Sequence, residues 1–298
     1  MKKRLNIHLY VTPICNLKCI HCYYEAEDQK FQIDNLLSID ELRYIIISLI
    51  DKYDAYFDIE GGELFLRDDI NELFSRLNSK YLKRLTITTN GTIDFDCNQA
   101  YLKELDEFRI SFEGDTDILQ QSIRKISLKQ PLRLANKLLK LGINPTIRIT
   151  LHKENFKFIR RMTEFFKNKG FYQFSFYEFQ KSGRAFLDNK YSLSNDNILI
   201  ILDNMDTLDK NILFKFSFSK SRVTLIKQYN NYSIKNISNI SSLTVNYNGD
   251  IGICPWKIGQ DIFMKFDKSN FIENIDNEID NSLIHSCTHC SYIRVENA

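Results

Sequence analysis

The fold class this sequence predicts is α/β: a partial (β/α)6 TIM-like barrel with a small C-terminal cysteine-containing extension. Three observations lead there. Short β-rich runs alternate with longer helical patterns over the first 180 or so positions, the mark of a parallel sheet built from βα units. Six such units can be traced, and Gly-Gly or Asn-Gly pairs follow the second and third strands, where barrels of this kind keep their functional loops. Beyond about residue 215 the character changes to Ser-, Asn- and Tyr-rich segments with short strands, so residues 1–215 are expected to form the barrel and 216–298 the extension.

Leu5 to Val11 reads as the first strand and runs directly into a loop holding Cys15, Cys19 and Cys22. Ser38 to Tyr53 reads as a helix, with Ser38 as N-cap and an apolar face of Leu42, Ile45, Ile46, Leu49 and Ile50. Tyr56 to Glu60 is the second strand, closed by Gly61-Gly62; Ile70 to Leu77 is helical; Arg84 to Thr89 is the third strand, closed by Asn90-Gly91. Phe108 to Phe112 is the fourth strand, and a helical stretch from Leu119 to Leu141 follows it with a break expected near Pro131. Asn144 to Leu151, Phe156 to Lys169 and Gln173 to Phe179 give the fifth strand, its helix and the sixth strand. Leu243 to Tyr247 and Ile251 to Cys254 flank Asn248-Gly249, a type I′ hairpin signal.

Composition narrows the function. With 298 residues, 43% of them hydrophobic, the chain can bury a real core. A formal net charge of +2 and the lack of a basic stripe interleaved with aromatics disfavour nucleic acid as a partner. The basic N-terminus leads into no apolar stretch, so it is not a secretory signal, and no apolar run approaches a membrane span. A cytoplasmic protein is expected, whose seven cysteines are better read as metal ligands than as disulfides.

In Cys15-Asn16-Leu17-Lys18-Cys19-Ile20-His21-Cys22-Tyr23, three thiolates lie close together. A four-iron four-sulfur cluster held by only three cysteines leaves one iron free for a ligand that is not protein. A structural zinc knot is the alternative at this spacing, but zinc asks for a fourth ligand, and His21, adjacent to Cys22, is poorly placed to supply it.

The spacing of three and then two intervening residues resembles the signature of the radical S-adenosylmethionine (radical SAM) superfamily. That resemblance implies a [4Fe-4S] cluster on Cys15, Cys19 and Cys22 whose open iron chelates the cofactor's methionine end, and reductive cleavage to a 5′-deoxyadenosyl radical. Gly61-Gly62-Glu63 matches the family's GGE motif, with Leu64 where proline is usual; the glycines would admit the cofactor and Glu63 would accept from its ammonium. Ser111-Phe112-Glu113-Gly114 resembles the family's Ser-x-Asp-Gly, with Glu113 replacing the aspartate. Ser111 and Arg124 are then implied to bind the cofactor carboxylate, although either could be an ordinary surface residue. His21 would lie against the adenine, Tyr23 follows the last ligand as is usual, and Asn90 either contacts cofactor or substrate or caps a turn. Gly183-Arg184-Ala185 resembles a run common in members with auxiliary clusters. Cys97 reads as a small buried hydrophobe, and His8 and His152 as structural.

Gly249-x4-Cys254 and Cys287-Thr288-His289-Cys290 resemble the SPASM and twitch extensions, which implies one auxiliary iron–sulfur cluster on Cys254, Cys287 and Cys290. Zinc held by those cysteines with His285 or His289 is the alternative. The family resemblance implies an oxidoreductase-type maturase acting on a ribosomally synthesised precursor peptide (RiPP), by crosslinking, oxidation or epimerisation. It also implies an electron donor such as flavodoxin or ferredoxin. No peptide-recognition domain precedes the first strand, so leader binding calls for a separate partner or the barrel rim. A sulfatase-maturase-like enzyme, a small-molecule dehydrogenase and a zinc-stabilised binding protein are the competing readings.

Overall fold

The computed structural model describes residues 2–31, 33, 35–227, 233–236, 241–253, 262–280 and 293–296. Strand β1 (Arg4–Tyr10) is followed by helix α1 (Ile39–Lys52), β2 (Asp54–Glu60), α2 (Ile70–Ser75), α3 (Ser79–Leu82) and β3 (Leu85–Thr89). Next come β4 (Glu107–Phe112), α4 (Asp117–Arg124), α5 (Lys129–Lys140), β5 (Thr146–Leu151), α6 (Ile159–Lys167) and β6 (Gln173–Glu178). Then follow α7 (Asn195–Asp206), β7 (Leu213–Phe218), α8 (Val223–Lys227), β8 (Ser233–Asn236), β9 (Ser241–Val245) and β10 (Asp250–Gly252). The remaining described elements are β11 (Ile262–Lys265), α9 (Phe271–Asp280) and β12 (Ile293–Glu296).

All the described strands share one sheet in the order β11-β10-β9-β1-β2-β3-β4-β5-β6-β7-β12-β8. β1 to β7 are parallel in sequence order, the α/β barrel wall that the sequence predicts, with one strand more than the six expected. Residue 215, where the composition changes, lies inside that seventh strand. β9 returns to pair parallel with β1 on the opposite flank, and β12 pairs antiparallel with β7.

The wall has an apolar and a polar face. Leu5, Ile7 and Leu9 of β1, Phe57 and Ile59 of β2, and Ile147 and Ile149 of β5 are buried in one core with Leu42, Ile46 and Leu49 of α1 and Met162 and Phe166 of α6. The intervening positions are polar and pair across strands, His8 beside Asp58, Tyr10 beside Glu60, Ser111 beside Arg148, Thr150 beside Tyr177. A parallel sheet covered on both faces would read as continuous apolar runs. This period-two alternation therefore lines a polar lumen, tied together by Arg109 to Asp58 at 2.8 Å, Arg109 to Glu107 at 2.6 Å and Lys215 to Glu107 at 3.2 Å.

Helix α1 starts where the sequence places it. The Ser38 hydroxyl accepts from the Glu41 N–H, and the Glu41 carboxylate accepts from the Ser38 N–H at 2.7 Å, a complete capping box. Ser38→Ala should lower stability by about 1 kcal/mol, read as a drop in melting temperature with unchanged metal content. Phe271 and Ile275 of α9 join the core, and Asp276 accepts from Lys52 and Tyr53 at the end of α1.

Two local expectations are corrected. The break between α4 and α5 falls at residues 125–128, where Lys125 takes a left-handed φ of +60° as a C-terminal cap; Pro131 sits in the first turn of α5, where a proline costs no helical hydrogen bond. The hairpin at Asn248-Gly249 is not type I′, since Gly249 alone has positive φ there, at +86°. Asn246 N–H donates to Asp250 O at 2.8 Å and Gly249 N–H to Asn246 O at 2.9 Å, which makes a longer loop ending on a left-handed glycine.

Candidate active site

The loop of Cys15, Cys19 and Cys22 hangs over the C-terminal end of the wall and is held at both roots. Cys15 N–H donates to Glu27 O and Glu27 N–H to Pro13 O, both at 2.8 Å, a single parallel bridge that closes the loop on itself. Ile20 N–H donates to Ile123 O of α4 at 3.1 Å. Beneath it run the two glycines. A Cβ on Gly61, whose φ is +148°, would lie 2.5 Å from Thr12 O, and one on Gly62 would lie 2.0 Å from Ile14 O. The backbone bonds Gly62 N–H to Thr12 O and Glu63 N–H to Ile14 O, both 2.8 Å, fix that close approach. The pair is thus required first by the fit of chain on chain.

An open cleft lies between loop and wall. Of the residues singled out in the sequence, Cys15, Cys19, Cys22, His21, Tyr23, Gly61, Gly62, Asn90, Ser111 and Arg124 all line it. Glu63 does not. Its buried carboxylate accepts from the Thr89 hydroxyl at 2.6 Å and from the Asn90 N–H at 2.7 Å, and burial raises it to about 7 in spite of those bonds. Asn90 caps the turn, its Oδ1 accepting from Thr92 N–H at 2.9 Å, while its amide donates to Asn16 Oδ1 at 2.9 Å and approaches Cys15 Sγ at 3.8 Å.

Glu113, in the place of the motif's aspartate, is fully buried beside three basic side chains. Oε1 lies 2.6 Å from His21 Nε2 and accepts from Arg124 Nε at 2.8 Å; Oε2 lies 3.4 Å from His152 Nε2. Burial opposes its ionisation, but His21 and then Arg124 outweigh it and hold the carboxyl well below the usual range. His21 is lowered as well, because burial disfavours its protonated form by more than the facing Glu113 favours it. So the Arg124 side chain at the cleft is already paired through Nε, and His21 is oriented by Glu113. His152, read as structural, belongs to this cluster.

Sequence reasoning missed the lumen side of the cleft, made by Glu60, Thr88, Arg148, Thr150, Tyr177 and Glu178. Glu60 accepts from Tyr23 at 2.8 Å and lies 3.1 Å from His8 Nδ1; burial opposes its charge, but His8 and Arg148 bring it down to about 2. The Arg148 guanidinium stands 4.6 Å over the Tyr177 ring, with a buried Nε that makes no hydrogen bond. The signal was present in the strands as alternate polar residues, such as Arg148-Ile149-Thr150-Leu151.

The spacing of the donor set allows two occupants, a zinc ion or an iron–sulfur cluster. Burial pushes Cys15 to about 12 and Cys19 to about 11, so both are thiols until a cation displaces their protons. Among the described residues, only His8, Asp58 and Glu60 bring three ligand atoms within 4.8 Å of one another. A single zinc with Zn–S bonds of about 2.3 Å would draw three sulfurs closer than that limit. The three sulfurs do not all lie that close, and a cluster, in which each thiolate binds a different iron, does not require it. Leu17 N–H donates to Cys15 Sγ at 3.3 Å, a bond that stabilises a ligating sulfur. Arg109 on Asp58 and Arg148 near Glu60 make the His8 group a poor cation site. Cys97 is buried in the core, its sulfur 3.5 Å from Phe95 O, as a small hydrophobe would be. Cys254, Cys287 and Cys290, with His285 and His289, lie outside the described residues. No helix among the described residues is long and apolar enough to cross a membrane.

Comparison with known proteins agrees with this geometry. Residues 9–166 match the model of the Radical SAM superfamily. The chain is 29% identical over 181 residues to the Fe-coproporphyrin III synthase of Methanosarcina barkeri, covering 59% of this chain and 44% of that protein. It is 26% identical over 180 residues to the antilisterial bacteriocin subtilosin biosynthesis protein AlbA of Bacillus subtilis, covering 59% and 39%. Each match spans less than half the length of the curated relative. Among solved structures, Streptococcus suis SuiB bound to its precursor peptide SuiA superposes with a TM-score of 0.78 at 17% identity, over 96% of this chain and 67% of that one, a likeness of fold.

Proposed function

This chain belongs to the radical SAM superfamily, and from that premise we propose that it modifies a ribosomally synthesised precursor peptide by abstracting hydrogen from it. The observation that carries the proposal is the convergence of Cys15, Cys19, Cys22, Gly61, Gly62, Ser111 and Arg124 on one cleft at the C-terminal strand ends. A [4Fe-4S] cluster and S-adenosylmethionine, when bound, supply a 5′-deoxyadenosyl radical able to take hydrogen from an unactivated C–H bond. The protein's part is to place and protect. Cys15, Cys19 and Cys22 hold three irons. Ser111 and Arg124 receive the cofactor carboxylate, with Arg124 set by Glu113. His21, also fixed by Glu113, borders the adenine side, and Tyr23 borders the lumen through Glu60. Thr150, Tyr177, Glu178 and Gln180 line the remaining wall, where a peptide backbone rich in donors and acceptors finds polar partners. A peptide seated across the cleft excludes water from the reacting atoms.

The peptide reading draws support from SuiB, solved with a precursor peptide, and from the bacteriocin-biosynthesis relative. On this reading Cys254, Cys287 and Cys290 carry an auxiliary cluster, and a flavodoxin or ferredoxin supplies electrons. The match to Fe-coproporphyrin III synthase favours a small-molecule substrate as the second reading.

Anaerobically reconstituted protein should be brown, contain iron and sulfide, and release 5′-deoxyadenosine from S-adenosylmethionine under dithionite. Co-expression with short open reading frames beside the gene, followed by mass spectrometry, should show a peptide that has lost two hydrogens or taken up solvent deuterium. Full iron loading without 5′-deoxyadenosine sinks the enzymatic proposal, and cofactor cleavage without a modified peptide shifts it to the small-molecule reading.

A further inference from the structure

The turn after β6 is fastened to the cysteine loop. Gly183, at φ +54°, is pressed so close that a Cβ would lie 2.3 Å from Cys22 O and 2.5 Å from Tyr23 O. Arg184 N–H donates to Cys22 O at 3.1 Å, and its guanidinium donates through Nη1 to Cys19 O at 3.3 Å and through Nη2 to Ala26 O. Ala185 is buried with Ile123, Phe179 and Tyr191, and Ile20 of the cysteine loop packs against this group. One arginine, 165 residues along the chain from Cys19, therefore bridges carbonyls from both halves of the loop.

We infer that Arg184 is a positioning residue for the cluster: its planar fork holds the loop closed across Cys19 and Ala26, and its permanent charge, set against the Cys19 backbone, favours the reduced state. The inference rests on the reading that Cys15, Cys19 and Cys22 hold an iron–sulfur cluster. A guanidinium keeps its proton at any working pH, and its fork can engage two acceptors at once, which an ammonium on a flexible stem does with less order. A cluster gains negative charge when reduced, so a fixed cation beside one ligand raises its potential, and removing that cation lowers it. Closure and charge are separable effects, because lysine keeps the charge without the fork.

The test uses anaerobically reconstituted protein without substrate and two readouts: an EPR-monitored redox titration, and the rate at which bathophenanthroline strips iron. Arg184→Gln should titrate at more negative potential and lose iron about tenfold faster than wild type, the scale on which groups that orient a metal's ligands affect its retention. Arg184→Lys should keep the wild-type potential yet lose iron faster. Gly183→Ala, which pushes the turn off the loop with the charge intact, should also lose iron faster. Arg184→Gln with the potential and iron loss of wild type overturns the inference. If that variant does not accumulate, wild-type iron loss in both Arg184→Lys and Gly183→Ala overturns it equally. Wild-type protein that takes up no iron defeats the cluster reading itself, a distinct result.

Discussion

Gly62→Ala is expected to cost about 3 kcal/mol of stability and most of the protein's capacity to hold iron. The added methyl would meet Ile14 O at 2.0 Å, Ile14 C at 2.3 Å and Cys15 N at 2.8 Å, and all three are backbone atoms that no rotamer change can move. Relief requires the chain around Cys15 to lift, which breaks the bonds from Gly62 to Thr12 and from Glu63 to Ile14 and displaces the first ligand. Gly142→Ala is the control. That glycine also has positive φ, +74°, but nothing lies within 4 Å of its missing Cβ, so only the left-handed strain of about 1–2 kcal/mol applies. Thermal melts with iron analysis compare them, and a Gly62→Ala protein with wild-type iron content would refute the argument.

Glu113→Gln should be at least as costly, by about 3–5 kcal/mol, because removing one partner of a buried pair leaves the other charge uncompensated. Arg124 Nε loses a charged acceptor, and His21 and His152 lose the anion that faces them. The sign of its pH dependence follows from the direction of its shift. A carboxyl held below its ordinary range in the folded protein contributes stability that is present above that range and declines as the pH falls into it. Wild type should therefore lose stability on acidification through the carboxylate range more steeply than Glu113→Gln. Equal slopes in denaturant melts from neutral pH to pH 4 would show that folding does not shift the Glu113 carboxyl. The same variant should bind S-adenosylmethionine differently, since Arg124 would be released from its buried partner.

Much of the barrel was legible in the sequence because each strand and helix is locally consistent. The capping box at Ser38, the apolar face of Leu42, Ile46 and Leu49, and the Gly or Asn after a strand all follow from short-range sterics and hydrogen bonding. Errors came where a local signal competed with tertiary packing. Pro131 marked a break three residues too late, because proline is as well suited to a helix's first turn as to its end. Asn248-Gly249 was compatible with two loop lengths, and the pairing of Asn246 with Asp250 selected the longer. The seventh strand, Leu213–Phe218, is completed by its neighbours on both sides.

By itself the sequence determined the chemistry offered: three thiols at cluster spacing, a glycine pair, a serine at the end of the fourth strand and an arginine thirteen residues on. Residue types and short spacings are properties of the chain, and they survive any folding. Only the tertiary structure decided what those groups face. It turned Glu63 from the cleft onto Thr89 and Asn90, gave Arg124 to Glu113, and brought Arg184 across 165 residues to Cys19. These are contacts between distant segments, set by the register of parallel strands and by the need of buried charges for partners, and neither is written in any single stretch of sequence.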